Sequence, residues 1–210
     1  NIFNLKKTFE NSLKLLMVKK VNVLYLHNPQ KIRNQKKIFE YLRLLKRKKK
    51  IKEFGLSISK DYKYDSKFLK KFKIIQLDYN ILYLKNFFNK NFKSKIIHAR
   101  SPFAAGTIFF LDHNKIFSKN DFRANWVSPR RKKIIISQLK MIKRNFNKNI
   151  YRLTLNFLFN DSFVKKIIFG VRNKKQLVSL IKNAQNIHKN YINIKNYKSF
   201  YLKNNEFREK

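Results

Sequence analysis

Five short strand-like runs, at 21–26, 53–59, 73–79, 96–99 and 167–169, are separated by connections longer than a dozen residues that carry helical patterning. Antiparallel hairpins need no such connections, whereas parallel neighbours require a crossover of about a dozen residues or more. The repeating unit is therefore strand then helix, and the fold class is α/β with five parallel strands. Periodicity alone leaves two architectures open: a doubly wound open sheet, or part of an eight-fold barrel.

The connections read as follows. Leu5, Phe9, Leu13 and Leu16 recur at helical spacing and predict a helix over 2–17, and Ile38, Leu42 and Leu45 predict one running to about Lys50. Shorter helices are expected at 65–72 and 83–92. Ser128 and Pro129 stand as N-cap and first position of a helix striped by Ile135, Leu139, Ile142 and Phe146. The polar run Asn147-Lys148-Asn149 divides it from a helix over 150–159, and Leu177, Leu180, Ile181, Ala184 and Ile187 mark the last. Residues 103–128 carry few periodic signals, and loops of this length usually carry function. One domain is expected over 1–188, followed by an irregular tail, 189–210.

Within this frame His27 stands at the exit of the first strand, two residues after Tyr25 and on the same face, with Pro29 ending the ladder. A titratable imidazole at the C-terminal lip of a parallel strand is where α/β folds place their chemistry, although a lone histidine is more often structural. His98 and His188 are read as structural, and Asp112, His113 and Asp121 share no metal-ligand spacing, so no metal is expected.

The formal net charge of +40 raises the prior for a nucleic-acid partner. Abundant Lys, Asn, Ile and Phe beside only 3 Gly and 3 Pro, however, match an A/T-rich coding bias, and the lysines are spread along the chain. The cluster Lys46-Arg47-Lys48-Lys49-Lys50 is equally a solvated helix end, where cations favour the helix dipole. No apolar run reaches membrane-spanning length, there is no signal-peptide core, and with 0 Cys there is no disulfide framework; a soluble, cytoplasmic protein is expected. The 3 glycines lie far apart, which excludes glycine-rich phosphate cradles.

Five blocks, taken in order, resemble the aldo-keto reductase superfamily: Leu24-Tyr25-Leu26-His27-Asn28-Pro29; Phe54-Gly55-Leu56-Ser57; Ile74-Ile75-Gln76 with Tyr79-Asn80; Arg100-Ser101-Pro102-Phe103 with Gly106; and Ile168-Phe169-Gly170-Val171-Arg172 with Gln176. The resemblance runs to about residue 187 and implies a partial (β/α)8 TIM barrel, from strand four to helix eight, with the first three βα units missing. It implies an NADPH-dependent oxidoreductase that reduces an aldehyde or ketone by hydride transfer, with a small-molecule carbonyl as its partner and no specific nucleic acid. His27 would orient and polarise the carbonyl. Ser57 and Gln76 would hold the nicotinamide carboxamide, Arg100 would stack on the nicotinamide, and Ser101 to Gly106, with Phe103, would follow the pyrophosphate. Gly170, Arg172 and Gln176 would serve the adenosine end, with Arg172 on the 2'-phosphate.

Against the family pattern, Ile58 replaces an asparagine, and Ser179-Leu180 replaces a Glu-Asn pair. Phe117, Asp121 and Arg123 resemble an F-x-x-x-D-x-R pattern of some members, for which an internal loop salt bridge is the simpler account. The family's tyrosine proton donor and the lysine and aspartate that tune it precede strand four. The chain begins at Asn1, so a fragment is expected that is catalytically incompetent alone and has an unpaired edge at 21–26. The alternatives are a basic nucleic-acid-binding protein, whose affinity would fall steeply with salt, and a non-catalytic, decayed barrel. The sequence specifies neither the substrate nor the oligomeric state.

Overall fold

The computed structural model describes residues 2–29, 35–59, 65–111, 121–125, 127–188 and 191–207. The order is α1 (Ile2–Leu15), β1 (Val21–His27), α2 (Gln35–Arg47), β2 (Ile51–Ser57), α3 (Ser66–Lys70), β3 (Ile74–Asp78), β4 (Ile96–Arg100), α4 (Pro129–Phe146), α5 (Ile150–Asn160), β5 (Val164–Ile167), α6 (Lys174–Gln185) and α7 (Ile194–Lys203). The five strands form one sheet in the order β1-β2-β3-β4-β5. β1 and β3 both run parallel to β2, in a register that sets His27 beside Ser57 and Ser57 beside Gln76. Ile96 N–H donates to the Lys73 carbonyl and Tyr79 N–H to the Arg100 carbonyl, which sets β4 parallel to β3. Sequence order equals spatial order throughout, as in part of a barrel and unlike the reversed order of a doubly wound sheet.

The chain divides into two compact units, Asn1–Leu77 with Asn91–Ile97, and Asp78–Lys90 with His98–Lys210. In the first, Phe9 and Leu13 of α1 pack with Leu45 of α2 and Ile51 of β2, and Val21, Leu24, Tyr41 and Phe54 close around them. Four phenylalanines, Phe39, Phe54, Phe68 and Phe72, fill the space beside that cluster, with ring centroids 5.1–6.2 Å apart. Edge-on pairs of this kind contribute about 0.5–1.5 kcal/mol each beyond their burial. Asp65 caps α3 by accepting from Lys67 N–H, and Lys95 Nζ donates to the Phe72 carbonyl at 2.8 Å just beyond the helix end.

In the second unit α4 starts as expected: Ser128 accepts from Arg131 N–H, Pro129 opens the helix, and Asn147 ends it at φ 44°. α5 is buried almost all round, through Leu153, Thr154, Leu155, Asn156, Phe157 and Leu158.

β1, first in the strand order, is half-buried, with Leu26 its one buried side chain. Four expectations are corrected. The helix expected at 83–92 is two short 3-10 turns, Lys85–Phe88 and Lys90–Phe92. Asparagine side chains there bond to backbone in competition with a helix, as when Asn86 Nδ2 donates to the Asp78 carbonyl. The fifth strand is Val164–Ile167, ahead of 167–169; Lys165 and Lys166 sit in it exposed, which hides it in the sequence and suits an edge. Beyond residue 189 stands a regular helix, α7, whose Tyr197 and Tyr201 are buried one turn apart. The apolar stripe of α6 also differs from its reading: Leu180 is buried, but Leu177, Val178 and Ile181 are exposed.

Candidate active site

In the first unit the strand exits bring three side chains into one row. His27 ends β1, Ser57 ends β2, and Gln76 lies in β3 at the same level, because the parallel register places them side by side. His27 Nδ1 lies 3.1 Å from Ser57 Oγ, and Ser57 Oγ–H donates to Gln76 Oε1 at 2.6 Å. Ser57 is 2 % exposed, whereas the imidazole of His27 is reached by solvent. The backbone beyond the strands is tied in the same order. Asn28 N–H donates to the Ser57 carbonyl, Ile58 N–H to the Gln76 carbonyl, and Ser59 N–H to Asn28 Oδ1. Asn28 makes this link at φ 38°, a left-handed conformation that asparagine tolerates better than most residues.

One pleat below, Tyr25 shares the His27 face, and Gly55 makes room for its ring. A Cβ on Gly55 would meet Tyr25 Cδ1 at 3.0 Å and the Ile74 carbonyl at 3.0 Å. Burial pushes the Tyr25 phenol above its ordinary value. The arrangement therefore offers one accessible imidazole, held from behind by a hydroxyl and an amide that can also pair with a ligand's amide.

In the second unit Arg100 ends β4 with NH2 3.0 Å from Asp78 Oδ2. Ser101 follows at φ 53°, its carbonyl accepting from Asn80 Nδ2 at 3.0 Å. Ala104, Ala105 and Gly106 continue with φ 46°, 54° and 87°, a run of left-handed backbone that its neighbours must hold in place. Arg123 does so: NH1 donates to the Ala105 carbonyl at 2.9 Å, while Nε and NH2 grip the Asp121 carboxylate. Hydrogen bonds from Arg123 hold the Asp121 carboxyl well below the usual carboxylate range, against the opposing effect of desolvation. The loop salt bridge expected from Asp121 and Arg123 is thus present; Phe117, Asp112 and His113 lie outside the described residues.

Arg172 reaches the same carboxylate more loosely, NH2 at 3.5 Å from Asp121 Oδ2, with its side chain 61 % exposed. Gly170 stands open, with nothing within 4 Å of where a Cβ would be. Asn173 caps α6 by accepting from Gln176 N–H, and Gln176 Oε1 accepts from Arg172 N–H at 2.8 Å, a reciprocal cap that occupies the Gln176 side chain. The Phe103 ring is likewise engaged, against Phe109, Tyr151 and Phe169 at centroid distances of 5.9, 5.3 and 5.4 Å. His98 is buried in β4, and burial followed by nearby Lys166 lowers its pKa, as suits a structural histidine.

Three links were not foreseen from the sequence: the Asn80 contact to Ser101, the Asp78 partner of Arg100 and the approach of Arg172 to Asp121. A strand-end Asp-Tyr-Asn run gave no signal of which later loop it would meet. Among the described residues no group of three or more His, Asp or Glu could hold a metal, and no helix is long and apolar enough to cross a membrane.

A parallel α/β sheet with polar side chains gathered at its strand exits is the arrangement in which such folds place their binding and catalytic groups. The sequence model of the Aldo/keto reductase family matches residues 3–193, and the chain belongs to that family. No curated protein matches it. Among solved structures it is similar to a glycerol dehydrogenase of Gluconobacter oxydans, with TM-score 0.68 and 17 % identity over 86 % of this chain and 58 % of that one. It is also similar to an aldo-keto reductase of Bacillus halodurans in its apo form, with TM-score 0.59 and 16 % identity over 86 % of this chain and 62 % of that one. At these identities the likeness is one of fold. The chain spans 58 % and 62 % of the lengths of these two structures.

Proposed function

We propose that the chain serves an NADPH-dependent oxidoreductase that reduces an aldehyde or ketone to an alcohol. Its five βα units stand for strand four to helix eight of a (β/α)8 barrel. The observation that carries the reading is the hydrogen-bonded row of His27, Ser57 and Gln76 on three adjacent parallel strands. A nicotinamide carboxamide needs a paired donor and acceptor, which Ser57 and Gln76 supply, while the exposed imidazole of His27 is left for the substrate oxygen.

A bound nicotinamide cofactor would supply the hydride; the residues of this chain would bind and orient it and the substrate. Arg100, paired with Asp78, presents a guanidinium plane suited to stack on an aromatic ring. Ser101, at φ 53°, and the left-handed run Ala104 to Gly106 that follows Phe103 give the backbone that would follow the diphosphate. Gly170 leaves open space ahead of α6, whose N-terminus favours an anion. Arg172, exposed and only loosely held by Asp121, is suited to move onto a 2'-phosphate, and Gln176 keeps that turn in shape.

Limited proteolysis of the chain tests the reading. NADPH is expected to slow cleavage with inorganic phosphate at the same concentration as the control. Equal cleavage with and without NADPH, together with tight DNA binding that collapses with salt, would favour the basic nucleic-acid-binding alternative instead.

A further inference from the structure

We infer that the first unit carries a second binding site, on the face of β2 opposite Ser57, and that it takes a small organic carboxylate with an aromatic body. Between α2, β2 and the end of α3 lies a cavity of about 410 Å³, lined by Lys36, Phe39, Arg43, Phe54 and Lys71. Phe54 and Ser57 stand three residues apart on one strand, so their side chains point to opposite faces. The sheet thus separates this cavity from the row of His27, Ser57 and Gln76. Its volume falls inside the range of about 300–1,000 Å³ that small-molecule sites occupy.

The floor is preformed and apolar. Phe39 is buried and wedged by three other rings, with centroids of Phe54 at 6.0 Å, Phe68 at 6.2 Å and Phe72 at 5.5 Å, so it cannot swing up to fill the space. Phe54 is fixed in turn against Phe72 at 6.0 Å. The rim is cationic. Lys36 and Arg43 flank Phe39 three residues before and four after it, on one stripe of α2, and Lys71 Nζ stands 5.2 Å from the centroid of the Phe39 ring. Lys71 Nζ donates to the neutral Gln35 amide at 3.0 Å, and neither Lys36 nor Arg43 meets a carboxylate among the described residues. Glu40, spaced to reach either of them along α2, pairs with neither. Glu53, the acid next to Phe54, is already taken by Lys46 Nζ, with both carboxylate oxygens at 2.9 Å. Rings alone would accept any apolar body, and cations alone any anion; together they select a ligand that has both. The Arg43 fork matches the two oxygens of a carboxylate, and an aromatic body packs on Phe39 and Phe54 with its face open to an ammonium.

Amide proton–nitrogen-15 spectra of the full chain, titrated with 2-naphthoate, test the site. Saturable shifts are expected at the amides of α2, Phe54 and Lys71, and not at those of His27 and Ser57. Lys36→Gln combined with Arg43→Gln should weaken binding about tenfold or more, because two charge-assisted contacts are lost. Both side chains are exposed, so the substitutions leave the core intact. Lys133→Gln combined with Lys140→Gln, on the exposed face of α4, removes the same charge elsewhere and should leave binding unchanged. 2-Naphthalenemethanol, with the rings and no charge, and acetate, with the charge and no rings, should each bind about tenfold more weakly or worse. Equal weakening by the α4 pair would report only the general field of a chain of net charge +40, and it overturns the inference. Shifts centred on His27 and Ser57, a neutral alcohol or acetate that binds as well as the naphthoate, or no saturable shift at all overturn it equally. No nicotinamide cofactor or turnover enters this measurement, so its failure is distinguishable from failure of the oxidoreductase reading.

Discussion

The Tyr79 phenol donates to Asp161 Oδ2 at 2.5 Å across 82 positions of the chain. Asp161 Oδ1 accepts from Lys198 Nζ at 2.8 Å and from Phe163 N–H at 3.0 Å, so one carboxylate, 1 % exposed, joins the exit of β3, the approach to β5 and α7. Lys198 Nζ also lies 3.4 Å from the centroid of the Phe87 ring. Asp161→Ala leaves a buried ammonium without its counterion and a phenol without its acceptor, at a cost of about 3–5 kcal/mol. Tyr79→Phe removes one hydrogen bond and leaves the ion pair, at about 1–2 kcal/mol. Urea denaturation of both variants is expected to give that order; equal losses would mean that the ion pair contributes little.

Alkaline pH should loosen the same region. Burial first, then Asp161, pushes the Tyr79 phenol far above its ordinary value, and burial does the same to Tyr197, whose hydroxyl donates to the Ile81 carbonyl at 2.8 Å. The folded chain therefore keeps protons that the unfolded chain releases. Their stabilisation is fully present below the ordinary tyrosine value of 10.0 and is lost as pH rises beyond it. Lys198 acts with the opposite sign, since burial lowers its pKa and its contribution improves as pH approaches the ordinary lysine value of 10.5. Stability measured against pH should fall above about pH 10, the unperturbed tyrosine value, and Tyr79→Phe should flatten that fall. An unchanged slope in the variant would assign the loss to other groups.

Gly55 has no room to grow. A Cβ there stands 3.0 Å from the Ile74 carbonyl and 3.0 and 3.1 Å from the Tyr25 ring, and the carbonyl belongs to the paired strand, so it cannot swing away. Gly55→Ala should cost about 1–3 kcal/mol as overpacking, read as a lower urea midpoint. Gly55→Ala combined with Tyr25→Leu should recover part of the loss, and no recovery would place the strain on the backbone alone.

Arg123 holds a strained loop rather than merely neutralising Asp121. Its NH1 lies on the Ala105 carbonyl, and a Cβ on Gly106 would meet that same nitrogen at 2.8 Å. In Arg123→Ala, hydrogen exchange at the Gly106 amide, which bonds the Phe103 carbonyl at 2.7 Å, should accelerate at least tenfold, corresponding to about 1.4 kcal/mol of lost local protection. Amides shared by β1 and β2 should be unaffected. Uniform acceleration across the chain would mean global destabilisation instead.

The strand-then-helix order and the start and end of α4 were legible because they rest on local rules. Ser128-Pro129, Asn147 and the Ile135-Leu139-Ile142 stripe act within a turn or two of themselves. What escaped was either masked by composition or decided by distant partners. Lys165 and Lys166 disguised β5, and the Lys/Asn/Tyr pattern past 189 concealed α7, whose helical stripe is built of tyrosines that become apolar only when their hydroxyls find acceptors. At the candidate site, His27, Ser57 and Gln76 could be chosen from the family blocks, but their adjacency in one hydrogen-bonded row follows from register. Nothing in the spacing of Asp121 and Arg172 foretold that they would share an ion pair.

On the proposed reading, the row of His27, Ser57 and Gln76 at the strand exits holds a nicotinamide cofactor. Titration of the full chain with NADPH, followed by nicotinamide fluorescence, tests it most directly. Saturable binding is expected, weakened about tenfold by Gln76→Leu, which loses a hydrogen bond near 1.4 kcal/mol, and weakened by Arg172→Ala for NADPH but not for NADH. No saturable change, or binding indifferent to both substitutions, would contradict the account.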